Sequence, residues 1–240
     1  MSAASDGRTG DGAAEIRLNG ARLAADPSGA LLWPDRRTLV VADLHFEKGS
    51  AFAARGLLLP PYDTRATLAR LEALVAKHRP ERVISLGDSF HDGAAGQRLA
   101  AGDRARLARL TGSCDWVWIE GNHDPAPPED IGGRAAAELI DPPLVFRHRA
   151  RGGKAAARSA AGEVSGHWHP KAAVHLPPKR ISAPCFVSDG RRLVLPAFGA
   201  YTGGLNVLDP AVSALFRPDF VVHLVYRARL YGFPRDSLVM

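Results

Sequence analysis

The sequence predicts an α/β protein in which two packed β-sheets are flanked by helices within one domain. Three observations carry this. The first half alternates apolar strand-like runs with helical periods, the second half keeps short apolar runs without helical periodicity, and 240 residues suffice for one large core. A chain of this size buries roughly 70–75% of the surface its unfolded form exposes, so neither disulfides nor a structural metal is needed to hold it.

Taken in order, residues 1–13 are small, polar and mixed in charge and read as a disordered leader, with the domain following over 14–240. From Glu15 to Val41 apolar runs alternate with the turn residues Asn19-Gly20, Asp26-Pro27 and Pro34-Asp35, which predicts two or three strands joined by hairpins. Residues 38–42 form a continuous apolar, β-branched run, as in a strand buried on both faces. Over 64–77, Leu68, Leu71, Leu74 and Val75 follow a helical period that Pro80 ends. The pattern then predicts a strand at 82–86, a helix at 100–110, a strand at 116–119 and a short helix over 128–139. Beyond 144, runs at 144–146, 172–175, 185–187, 193–195 and 220–226 predict mostly antiparallel β structure. The Arg/Gly/Ala-rich stretch 147–158 reads as an exposed loop, and the apolar stretch 220–233 fits core or a homodimer surface.

Composition narrows the function classes. Cys114 and Cys185 are far apart, which excludes a disulfide framework or a thiolate zinc site and fits a reducing compartment. No signal segment is visible and no apolar run approaches the ~20 residues of a membrane span, so a cytoplasmic protein without a membrane partner is expected. The formal charge of +6 favours a polyanionic partner, although an arginine-rich composition by itself yields the same charge.

Four polar clusters carry the chemistry. Asp43-Leu44-His45, Gly87-Asp88 and Gly121-Asn122-His123-Asp124 each follow one of the expected parallel strands. Ligands of open α/β sheets bind in the crevice outside such strand ends, so the three can converge. Gly166-His167-Trp168-His169 falls in the β-rich half. In an extended segment residues i and i+2 share a side, so Asp43 and His45 can grip one ion, and His167 and His169 face one way. Carboxylates and imidazoles without thiolate favour Mn, Fe, Zn, Co or Ni. A carboxylate can bridge two cations through its two oxygens, and Asp88 is the natural candidate. The adjoining glycines let loops approach the ions. Each cluster alone has a bland reading as a turn or capping pair; all four in this order do not.

Together these clusters resemble the calcineurin-like metallophosphoesterase superfamily. The further stretches Asp43-Leu44-His45-Phe46-Glu47-Lys48-Gly49, Leu59-Pro60-Pro61-Tyr62-Asp63-Thr64, Ser89-Phe90-His91-Asp92 and Phe198-Gly199-Ala200-Tyr201-Thr202-Gly203-Gly204 resemble the ligase-associated metallophosphoesterases of bacteria. The resemblance implies a four-layer α/β/β/α sandwich of two mixed sheets and two divalent ions, with manganese first. It implies a phosphodiesterase or DNA endonuclease in DNA repair, with DNA as substrate and an ATP-dependent DNA ligase and a helicase as functional partners. It further implies that Asp43, His45 and His169 hold one ion, that Asn122, His148 and His167 hold the other, and that Asp88 bridges them. His123 would act on the phosphoryl group without binding metal, with Asp124 orienting its imidazole. His91, close behind Asp88, is expected near the site. Arg147, Arg149, Arg151, Lys154 and Arg158, with Lys171, Lys179 and Arg180, are the candidate substrate contacts, as basic residues around two of the histidine clusters. Two other readings share the ligand set or the fold: a phosphatase for small phosphomonoesters or nucleotides, and a scaffold that has lost the chemistry.

Overall fold

Hairpin-forming turns open the chain. Strands β1 (Ala14–Leu18), β2 (Ala21–Ala25), β3 (Leu31–Trp33) and β4 (Thr38–Val41) pair antiparallel in sequence order. The turn at 19–20 has both residues at positive φ, 48° and 87°, which Asn and Gly tolerate. From β4 the chain runs through helices α1 (Lys48–Ala53) and α2 (Asp63–His78) to β5 (Arg82–Ser85), then through α3 (Ala95–Arg98) and α4 (Ala101–Thr111) to β6 (Asp115–Ile119). Strands β4, β5 and β6 are parallel, and β7 (Arg134–Ala136) completes a seven-stranded mixed sheet. These are features of a computed structural model, which describes residues 12–57, 59–60, 62–124, 127–152 and 161–240. Most of the expected leader lies outside the described residues; of its last two members, Ala13 is buried.

The second sheet, nine-stranded, holds β8 (Glu138–Asp141), β9 (Leu144–Arg147), β10 (Gly162–Ser165), β11 (Lys171–Leu176), β12 (Lys179–Ser188), β13 (Arg192–Val194), β14 (Val221–Tyr226), β15 (Arg229–Pro234) and β16 (Leu238–Val239). The two-residue period of a strand explains the layering. Leu39 and Val41 of β4 face the helices together with Leu68, Leu71 and Leu107, whereas Val40 and Ala42 face the second sheet with Phe146, Val164 and Leu195. On the far side of that sheet the covering layer is thin: helix α5 (Pro210–Ser213) and nearby loops place Val207, Val212 and Phe216 over Cys185, Val187 and Val222. Phe220, Val222 and Leu224 of the apolar 220–233 stretch are core residues there.

One expectation is corrected. Residues 128–139 do not form a helix. One 3-10 turn (Glu129–Ile131) ends at Gly132 and Gly133, both at positive φ, and the chain then enters β7 and β8. A Cβ at Gly133 would lie 2.6 Å from the Trp118 indole nitrogen, so the backbone there hugs β6 instead of coiling. The second sheet is mostly antiparallel, as expected, but β9, β10 and β13 are parallel neighbours within it. Run composition carries no strand direction. Parallel strand ends therefore supply ligands from both sheets.

Candidate metal centre

The polar clusters sit just past five parallel strands, at one end of the sandwich. Asp43 and His45 follow β4, Asp88 follows β5, Asn122 and His123 follow β6, His148 follows β9, and His167 and His169 follow β10. Backbone hydrogen bonds lock the loops together: His45 N–H donates to Asp88 O (2.9 Å), Phe46 N–H to Ser89 O (2.8 Å) and Gly166 N–H to His148 O (3.0 Å). Across the gap between sheets, the His167 N–H donates to the Asp43 carboxylate at 3.0 Å.

Two groups of donors result, each with its ligand atoms within 4.8 Å of one another: Asp43, His45 and His169, and Asp88, His148 and His167. His169 Nε2 lies 3.3 Å from His45 Nε2 and 3.4 Å from Asp43 Oδ1. In the second group His148 Nε2 lies 3.0 Å from His167 Nδ1 and 2.9 Å from Asn122 Oδ1. Asp88 stands between the groups, with Oδ1 3.4 Å from His148 Nε2 and Oδ2 4.0 Å from His45 Nε2. The expected pairing by side fails for His167 and His169. Both take left-handed backbone, φ 70° and 44°, and they diverge to separate groups. Asp43 and His45 do meet, again through left-handed φ (53° and 45°) and not through an extended segment.

The donor chemistry fits divalent cations. Asp43 and Asp88 are buried carboxylates whose ion-pair partners among the described residues are imidazoles. Burial, with the neighbouring His169, Lys48, His123 and His91, pushes His45 down to about 2. Burial, then His148 and Arg149, pushes His167 down to about 4. Both rings are therefore neutral near pH 7 and offer lone pairs. His148 Nδ1–H donates to the Leu86 carbonyl at 2.8 Å, which leaves Nε2 as a bare acceptor facing the Asn122 and Asp88 oxygens. Acceptors gathered without a donor are what a metal ion resolves.

Glycines at the centre are there for space. A Cβ at Gly121 would lie 2.2 Å from the Asp88 nitrogen, and one at Gly87 (φ 77°) would enter the His148 ring at 2.6 Å. His123 is part-exposed; its Nδ1 shares a hydrogen bond with the His91 carbonyl (2.9 Å), so Nε2 faces the site, 3.9 Å from Asp88 Oδ2. Asp124 does not make the expected contact with the His123 ring. It turns inward, accepts the Phe90 N–H at 2.9 Å, and leaves Oδ1 without a partner. Burial and the repulsion of Asp88 and Asp43 push its carboxyl up to about 7, against the Phe90 hydrogen bond. His91 stacks on His123 with ring centroids 5.5 Å apart and lies 5.6 Å from the His45 ring.

The basic residues expected at the rim are scattered. Arg147 is 7% exposed and bridges Glu138 (3.0 Å) and Glu163 (3.5 Å), because β9 ends pointing it between strands. Arg151 also pairs with Glu138, at 3.2 Å. Lys179 and Arg180 pair with Leu176 and His175 at the tip of the β11–β12 hairpin. At ~3.3 Å per residue that tip is roughly 17 Å along the strand from Lys171. Lys171 itself packs beside Gly204, and Lys154 and Arg158 lie outside the described residues. Of the described members of the set, Arg149 is the one exposed next to the site, 5.5 Å over the Trp168 ring, which meets His167 edge-on at 5.1 Å. Lys48, three residues after His45, is a further basic residue in this region that lay outside the expected set.

The calcineurin-like phosphoesterase family profile matches residues 36–171, more than half of the chain. The protein belongs to that family and is a metal-dependent hydrolase of phosphoester bonds. Among solved structures it is similar to the Pseudomonas putida nuclease MPE, with 29% identity, TM-score 0.69, and coverage of 92% of this chain and 100% of that one. The phosphoesterase Yfce of E. coli matches at 14% identity and TM-score 0.40, over 82% of this chain and 97% of that one. Among curated proteins no sequence matches.

Proposed function

We propose that the chain is a dinuclear, manganese-dependent phosphodiesterase that cuts DNA, acting in the cytoplasm in DNA repair beside an ATP-dependent ligase and a helicase. The observation that carries the nuclease reading is the likeness in fold and sequence to a nuclease over 92% of this chain and 100% of that one. The ligase-associated motifs support the repair setting. Asp43, His45 and His169 would hold one ion and Asn122, His148 and His167 the other, with Asp88 between them as the shared carboxylate. Two divalent ions there supply Lewis-acid polarisation of the phosphoryl group and offset charge on the attacking and leaving oxygens.

The chain's own residues do the rest. Hydrogen bonds to the Asp43 and Asp88 carboxylates from the backbone of His167 and His123 fix the orientation of both. The Leu86 carbonyl holds His148 in the tautomer with Nε2 free. The His91 carbonyl accepts from His123 Nδ1–H and turns Nε2 to the site, so that the ring can give a proton to the leaving oxygen when both its nitrogens are protonated. Asp124 braces the loop at Phe90.

The test is a paired assay with Mn, Zn, Fe, Co or Ni added in turn: bis(p-nitrophenyl) phosphate and single-stranded DNA against p-nitrophenyl phosphate. Diester and DNA cleavage, greatest with Mn, is expected. Hydrolysis of the monoester alone would replace this reading with a small-molecule phosphatase. Asp88→Ala is expected to lose both metal and activity; full activity in that variant would rule out a bridged site.

A further inference from the structure

A half-buried cation lies beside the histidines and outside any described ion pair. Lys48 is the first residue of α1, on the loop that β4 sends across to the Asp88 loop. Its ammonium lies 5.9 Å over the Phe52 ring, Phe52 lies 5.8 Å from the His91 ring, and His91 stacks on His123 at 5.5 Å. These groups form one continuous row leading away from the site on the flank of His123. In the mechanism proposed above His123 Nε2, which lies 3.9 Å from Asp88 Oδ2, meets the leaving oxygen, and that puts the leaving strand on this flank.

The charge of Lys48 is only partly offset. Burial pulls its ammonium below the usual lysine range, and Asp63, the carboxylate that attracts it, is tied to the Gly49 N–H at 2.9 Å. An anion in this corner would stabilise the half-buried ammonium. By contrast Arg147 and Arg151 are neutralised by Glu138 and Glu163, and Arg149 lies on the flank of His167 and Trp168.

We infer that Lys48 binds the phosphate next to the scissile one on the leaving-group side, and so makes this enzyme favour a polynucleotide over a small diester. The inference rests on the nuclease reading above and adds a specificity-determining contact to it.

The experiment uses single-stranded oligodeoxynucleotides carrying one neutral methylphosphonate linkage, with cleavage mapped at each bond. In the wild type, cleavage is expected to fall about tenfold at the bond whose leaving-side neighbour is neutral, the size of one charge-assisted hydrogen bond. Lys48→Met keeps the hydrocarbon stem over Phe52 without the charge. It should lower kcat/KM on unmodified DNA about ten- to a hundredfold, and by far less on bis(p-nitrophenyl) phosphate. It should no longer sense the neutral linkage, and its salt slope on single strands should fall by about 0.7. Lys48→Arg should restore sensing. A melting curve like that of the wild type excludes a folding defect. Wild-type cleavage indifferent to the neutral linkage, or a Lys48→Met variant that still senses it or loses equally on both substrates, overturns the inference alone. A wild type that hydrolyses the small diester and no DNA overturns the nuclease reading with it.

Discussion

His123 and Asp124 are adjacent in sequence and opposite in placement. His123 is anchored through Nδ1 to a backbone carbonyl and keeps Nε2 toward the site, whereas Asp124 is buried with its carboxyl near 7. His123→Ala should therefore leave metal content intact while lowering diester cleavage by roughly 10²–10⁴, as expected for a general acid. Parallel metal analysis and kinetics check this, and a drop in bound metal would reassign His123 as a ligand. Gly121 is set by space: an added Cβ would meet the Asp88 nitrogen at 2.2 Å and the Asp88 and Asp124 carboxylates at 2.4 Å. Gly121→Ala should cost about 1–3 kcal/mol of stability, the range for overpacking, and weaken metal binding by moving Asp88. Chemical denaturation and metal titration measure the two effects, and wild-type metal affinity would show that the loop can yield.

At the scale of elements, the β2–β3 hairpin is tied to the end of α2. Asp26 Oδ1 accepts the Ser28 N–H (2.8 Å), while Oδ2 lies 3.4 Å from Lys77 Nζ and 3.6 Å from His78 Nε2. Burial alone would push this carboxyl up, yet the Ser28 hydrogen bonds and the Lys77 charge hold it below the usual range. A folded-state pKa below the unfolded one contributes stability above pH ~4, lost as pH falls through the folded value. Asp26→Asn keeps the turn and removes the charge. It should lower stability by about 1 kcal/mol at pH 7, with the difference from wild type shrinking below pH ~4. Thermal melts across that range decide it; a difference that grows in acid would mean Asp26 is protonated in the folded protein.

For the whole molecule, the centre joins two sheets whose loops are held under strain. Asp43, His45, Asp88, His167 and His169 all have φ between 44° and 70°, a region that costs non-glycine residues about 1–3 kcal/mol each. Asp43, Asp88 and Asp124 are buried and repel one another. An ion that binds only the folded state offsets these costs by mass action, by about 2.7 kcal/mol at a hundred times its Kd. Chelation should therefore lower Tm, with recovery that scales with the logarithm of added Mn, while Asp88→Ala should be insensitive to either treatment. Differential scanning fluorimetry reads both; a chelator-independent Tm in the wild type would separate the metal from the fold.

The sequence by itself determined the parallel β4–β5–β6 half, because apolar runs of period two and helices of period 3.6 are local signals. It likewise marked the polar clusters, because each lies within a few residues of a strand end. The direction of β9, β10 and β13 was not legible, since pairing is settled by contacts between distant segments. The split of His167 and His169 was not legible in their spacing and came only with the family resemblance, since it depends on left-handed backbone, held at His167 by the Asp43 carboxylate 124 residues away in sequence. The same limit explains Arg147, a basic residue beside a proposed ligand that the tertiary structure buries against two glutamates, and Lys48, whose place in the row leading to His123 exists only once α1 folds over the Asp88 loop. Local residue types fixed which chemistry is available. Packing between the sheets decided which atoms face one another, and hence what each residue can do.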